Sequence, residues 1–174
     1  MGRGIAQIAA QAGLKTLLYD TRPGATAEAR DYIATTLSRL TEKGKLTAEA
    51  AQRAISNLQV AHALSEFSAC DVVVEAIVEN LEAKRELFRS LEGVVAERCI
   101  LATNTSSLQV TSIAAACAHP ERVAGYHFFN PVPLMKVVEV VDGLMTAPSV
   151  GDTLMAIAKR CGHTPVRAKD TPGF

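Results

Sequence analysis

Val72-Val73-Val74-Glu75-Ala76 is an apolar run of the kind that forms a strand buried on both faces of a parallel sheet. Leu81 to Val95 follows, with Leu87, Leu91, Val94 and Val95 on one side of a helix. The same alternation continues outward. Downstream, Ile100-Leu101-Ala102-Thr103 reads as a strand and Val110 to Cys117 as a helix. Arg122 to Tyr126 and Lys136 to Val141 read as strands, Val150 to Cys161 as a helix capped by Ser149, and Thr164 to Arg167 as a last strand. Upstream, Ile5 to Ala12 suits a helix closed by Gly13, and Thr16-Leu17-Leu18-Tyr19 a short strand ending at Asp20. A long Ala-rich helix follows Pro23 to about Lys43, a second spans Thr47 to about Ile55, and Leu58 to Val60 forms a short strand. Strands alternating with helices predict an α/β fold with a doubly wound parallel sheet. The helices on either side of Gly44 are an insertion that a bare βαβ unit does not need.

The 174 residues suffice for one domain with a sizeable core. Formal net charge is zero, so no global field recruits nucleic acid or an anionic membrane, and no such partner is expected. Aromatic content of 5% without Trp argues against base-stacking platforms. No apolar run approaches the roughly 20 residues of a membrane span. Cys70, Cys99, Cys117 and Cys161 show no zinc spacing, so no metal site is expected. They read as free buried thiols of a reducing compartment, which fits a cytoplasmic or organelle-matrix location.

A second stretch carries chemistry: Gly125-Tyr126-His127-Phe128-Phe129-Asn130-Pro131-Val132-Pro133-Leu134-Met135-Lys136-Val137-Val138-Glu139-Val140-Val141. A histidine ends an apolar segment, a proline-stiffened turn follows, and a strand-like run then holds one acid among four valines. A carboxylate in such surroundings needs a partner, and an imidazole is a natural one. Such a pair is a general-base arrangement. Spacing alone leaves equally open a satisfied core histidine beside a strand-edge glutamate.

At the other end, Gly2 opens a helix pattern and Asp20 ends the next strand, 18 residues on. This resembles the back end of a Rossmann fingerprint, whose acid lies about 20 residues beyond its glycines. Gly2 would be the last glycine only, because no strand or earlier glycine precedes it. An acid at this strand end accepts both ribose hydroxyls and repels a 2′-phosphate, which favours NAD over NADP. Arg22 stands near enough to soften that preference.

Four blocks together resemble the 3-hydroxyacyl-CoA dehydrogenase family, in its order and spacing. They are Val73-Val74-Glu75-Ala76-Ile77-Val78-Glu79-Asn80, Thr103-Asn104-Thr105-Ser106-Ser107-Leu108, His127-Phe128-Phe129-Asn130-Pro131 with Glu139, and Asp170-Thr171-Pro172-Gly173-Phe174. The resemblance covers essentially the whole chain. It implies that residues 1–174 are a truncated NAD-binding domain, of Rossmann type with a helical insertion. The first strand, most of the glycine loop and the family's helical C-terminal domain, which closes the site and makes a homodimer, are then missing, with a catalytic asparagine beyond Phe174.

The implied activity is reversible oxidation of (3S)-3-hydroxyacyl-CoA to 3-ketoacyl-CoA with NAD, active only in the full-length protein. His127 would be the base, Glu139 its orienting partner, and Ser106 a hydroxyl touching substrate and nicotinamide. Gly2, Asp20, Glu79, Lys84, Asn104 and Ser106 would meet the cofactor. Thr36 and Lys43 would meet the CoA portion, and Asn130 would contact substrate or shape the site. Butyryl-type and phenylacetate-pathway members are resembled alike. Other readings are a domain of a multifunctional fatty-acid oxidation protein, a non-catalytic crystallin-like relative, and a short product that serves as a binding or assembly partner.

Overall fold

The computed structural model describes all residues, Met1–Phe174. The order is α1 (Gly2–Gln11), β1 (Thr16–Leu18), α2 (Ala25–Glu42), α3 (Ala48–Ser56), β2 (Leu58–Val60), β3 (Val72–Glu75), α4 (Leu81–Glu92), β4 (Ile100–Thr103), α5 (Val110–Ala114), β5 (Val123–Phe128), β6 (Val137–Asp142), α6 (Pro148–Arg160) and β7 (Thr164–Lys169). Two 3-10 turns, Leu64–Ala69 and Pro120–Arg122, interrupt segments in which the sequence shows no helical period.

Local chemistry fixes most boundaries. Thr47 and Asn80 cap α3 and α4 by accepting the Ala50 and Ala83 amides. Gly13 and Gly44 take positive φ just past α1 and α2, where a side chain would be strained. Two expectations shift. Ser149 does not cap α6: Ala147 precedes the helix and Pro148 opens it, where a missing N–H leaves nothing unpaired. Helix α5 stops at Ala114, because the Ala116 and Cys117 amides turn to Ile113 and Ala114, three residues back, tightening the chain into 3-10 turns.

Strands β3-β4-β5-β6-β7 form one sheet in that order, parallel throughout except for β5 against β6. The exception departs from an all-parallel expectation and has a simple cause. Residues 129–136 are too few for a crossover helix, which takes a dozen or more residues, so the chain turns straight back.

Strands β1 and β2 pair parallel with each other and form a separate sheet. The Asp71 and Glu75 carbonyls accept the Ile100 and Asn104 amides of the β4 side. Val72 and Val74 therefore direct their backbone groups to the opposite edge of β3, which no strand of the chain covers.

Three apolar clusters hold these layers. One face of the large sheet, with Tyr126, Phe128, Val138 and Val140, packs on Ile5 and Ile8 of α1 and on Val150 and Leu154 of α6. The other face packs Leu101, Val123 and Val141 on Phe88 and Leu91 of α4 and on Ile113 of α5. A third cluster joins Ala6 and Ala10 of α1 to Leu18, Ile33, Leu37 and Leu58. Helix α1 thus lies between the two sheets and contributes to the core of each. All four cysteines are free; Cys99 is fully buried, but the other three are only half-buried. Burial pushes the Cys99 and Cys117 thiols up to about 11, which leaves them unreactive near neutrality.

Candidate active site

The antiparallel pairing of β5 and β6 sets His127 directly across from Glu139. Residues in such register share one face of the sheet. The imidazole Nδ1 lies 2.7 Å from Glu139 Oε2, and both side chains are largely buried, at 13% and 23% exposure. A carboxylate only accepts hydrogen bonds, so the ring proton belongs on Nδ1 and Nε2 keeps its lone pair. The rings of Phe129 and Phe174 stand 4.7 and 5.8 Å from the imidazole. Phe174 is brought there by Asp170, whose carboxylate accepts the Val110 and Thr111 amides at the start of α5. The loop after His127 is tied down by buried His163, whose Nε2 donates to the Val132 carbonyl. Asn130 is exposed at the head of that loop, before a cis bond to Pro131.

A second group forms where β4 ends. Asn104 Oδ1 accepts the Phe128 amide, which links the β4 loop to the residue after His127. Glu79 Oε1 accepts the Thr105 hydroxyl, the Ser106 and Ser107 amides and the Ser107 hydroxyl. Partial burial alone would raise the Glu79 carboxyl. The Thr105 hydroxyl, Ser106 amide, Lys84 ammonium and Ser107 amide outweigh it and hold that acid at about 2. Ser106 is exposed, with its amide engaged. Lys84 is 1% exposed, and its Nζ lies 2.6 Å from Glu75 Oε1 and 3.3 Å from Glu79 Oε2.

The remaining predicted residues stand apart. Gly2 opens α1 beside Ala76, just past β3. Asp20 is exposed beyond β1, and one of its oxygens accepts the Arg22 amide. The Arg22 guanidinium turns instead to Glu28 at 2.7 Å and forms no ion pair with Asp20. Thr36 is half-buried on α2, its hydroxyl donating to the Tyr32 carbonyl, and Lys43 is exposed past the end of that helix. No hydrogen bond or ion pair links either to His127.

Sequence reasoning assigned no role to Glu75, Thr103 or Asp170. Glu75 carried the signal that exposed Glu139, an acid inside an apolar strand. Lys84 carried a subtler one, since it lies on the same α4 stripe as buried Phe88 and Leu91.

The chain is similar to known proteins along its whole length. The family model described as 3-hydroxyacyl-CoA dehydrogenase, NAD binding domain, matches residues 1–171. A probable 3-hydroxybutyryl-CoA dehydrogenase of Bacillus subtilis is 44% identical over the whole chain, which spans 61% of that protein. The 3-hydroxyadipyl-CoA dehydrogenase of Escherichia coli is 46% identical, and the chain spans 37% of it. A crystal structure of 3-hydroxybutyryl-CoA dehydrogenase from Escherichia coli superposes with a TM-score of 0.98 at 46% identity, again over 37% of that chain. A rat relative is mitochondrial, at 44% identity and 57% coverage. No helix here is long and apolar enough to cross a membrane. From the extent of these matches, the chain belongs to the 3-hydroxyacyl-CoA dehydrogenase family and matches that family's NAD-binding domain.

Proposed function

We propose that the full-length protein interconverts (3S)-3-hydroxyacyl-CoA and 3-ketoacyl-CoA, with His127 as general base oriented by Glu139. The His127–Glu139 pair, 2.7 Å apart and largely shielded from water, carries this reading. Nε2 takes the proton of the substrate's 3-hydroxyl while a hydride leaves C3, so the alcohol becomes a ketone and the imidazole an imidazolium. Glu139 fixes the tautomer before the transfer and balances the charge after it. Bound NAD supplies the hydride acceptor.

The donor set suits that cofactor. A carboxylate at Asp20 with no ion-pair partner favours two ribose hydroxyls and disfavours a 2′-phosphate. The first amides of α1 beside Gly2 suit a pyrophosphate. Ser106 and Asn104, on the loop tied to Phe128, would hold substrate and nicotinamide near Nε2. Thr36 and Lys43 would serve the CoA portion and Asn130 the shape of the site. A homodimer of the full-length protein belongs to the same reading, and sedimentation of that protein tests it.

The test is His127→Gln in the full-length protein, assayed with acetoacetyl-CoA and NADH. Turnover should fall by about 10²–10⁴-fold, while NADH binding, followed by fluorescence titration, stays close to wild type. Undiminished turnover would remove His127 from the chemistry and sink the reading.

A further inference from the structure

His163 is buried at 4% exposure, and both of its ring nitrogens face carbonyl oxygens. Nε2 lies 3.0 Å from the Val132 oxygen and Nδ1 3.2 Å from the Cys161 oxygen. A carbonyl only accepts, and a neutral imidazole carries a single N–H. A neutral ring here meets one carbonyl with a hydrogen and the other with a lone pair, whereas a doubly protonated ring donates to both. The histidines that pair with carboxylates are His119 and His127, and His163 has no such partner. What stands beside it is the end of α6: the His163 amide returns to the Ala158 carbonyl just past that helix, where carbonyl dipoles favour a cation.

The ring sits at a junction. Residues 129–136 join β5 to β6, so His127 and Glu139 stand at the two feet of one loop. Asn104 accepts the Phe128 amide where the loop begins, and the Thr164 amide donates to the Lys136 carbonyl at 2.6 Å where it ends. His163 holds the middle through Val132. Val132 is 2% exposed and packs on the first turn of α1, where a Cβ at Gly4 would come within 2.9 Å of it. The His163 ring also stands edge-on to that of Phe128, at 5.6 Å.

We propose that His163 is a positioning residue that works as a double donor, tying the Val132 carbonyl to the end of α6 and so holding the loop whose feet carry His127 and Glu139. The inference rests on the dehydrogenase reading above. His163 itself meets neither substrate nor cofactor. A ring with one hydrogen leaves a buried carbonyl oxygen facing a lone pair, and letting Val132 go relieves the clash. Once Val132 is free, the loop and the start of α1 shift against each other, and the reacting groups lose their alignment.

The experiment uses the full-length enzyme, in which the loss of turnover by His127→Gln has first been established. Undiminished turnover in that variant would count against the dehydrogenase reading, not against this one. His163→Leu fills the site and removes both donors. Its kcat should fall by about tenfold or more, with KM for acetoacetyl-CoA and NADH within about threefold of wild type. His163→Gln, neutral and polar, takes its place if the leucine variant does not fold, and the same fall is expected. His163→Lys, whose ammonium brings several donors and a lasting charge, should bring kcat back to within about threefold of wild type. The donor count is read on wild type and needs no variant. Nitrogen NMR of the labelled enzyme at about pH 6 should find a hydrogen on each ring nitrogen of His163.

A single ring hydrogen would overturn the proposal. So would a kcat in His163→Lys as low as in His163→Leu. A lowered unfolding midpoint with kcat intact in His163→Leu would reduce the residue to a purely structural role and also overturn it.

Discussion

Glu139 does two things for His127: it fixes the tautomer and it supplies a charge. Glu139→Gln keeps a hydrogen-bond acceptor but removes the charge. Turnover of the full-length enzyme should fall by about tenfold or more, and its pH–rate profile should move; a profile superimposable on wild type would show that the charge has no part in the chemistry. Glu79 gives a second prediction, about stability. Its carboxyl is held at about 2 in the folded chain, below the roughly 4.3 of an unstrained glutamate. A depressed acid stabilises the fold at pH values above its unfolded pKa, and that contribution is lost as pH falls toward 2. The stability advantage of wild type over Glu79→Gln in urea should therefore shrink steadily between about pH 4.5 and 2. A pH-independent difference would mean that Glu79 acts by shape alone. Single residues in valine-rich strands were the easiest to read, since an acid there demands a partner. Lys84 was harder, because a surface lysine and a buried one look alike until the stripe with Phe88 and Leu91 is placed against Glu75.

At the scale of elements, the His127–Glu139 register depends on β5 and β6 lying close. Gly125 allows this: a Cβ there would come within 2.7 Å of Val141 Cβ and 2.9 Å of Val110 Cγ2. Gly125→Ala should cost about 1–3 kcal/mol in chemical denaturation, and through its partner Val141 it pushes on the strand that carries Glu139. Stability equal to wild type would show that the strands part without strain. Gly4 has a similar place against Val132, where α1 meets the loop after His127. Nearly every helix and strand is visible in the sequence by its period and end signals. The direction of β6 is not visible in its own composition, because a valine-rich run is the same in either orientation. It follows from the short span between Phe128 and Val137, a constraint on chain length.

For the whole molecule, the uncovered edge of β3 makes a direct prediction. In the 174-residue chain, the Val72 and Val74 amides face that edge, whereas Val73 and Glu75 face β4. Hydrogen exchange followed by NMR should find the first two markedly faster than the second two; equal protection would mean that the edge is covered. The sequence shows the strands of both sheets by their apolar runs. It does not show how the parts stay together, because that depends on side chains shared between them. Helix α1 faces both sheets, and on the opposite side Tyr19 meets Phe67 edge-on at 6.1 Å.

The two sheets are thus laced by side chains, with no backbone ladder between them. Asp20 follows a strand of the smaller plate, and Glu79 follows β3 of the larger. Any molecule that touches both acids is a strut across a joint, and its fit is a measurement of the spacing between the plates. A change in the packing of α1, which touches both plates, alters the length of strut that the joint accepts.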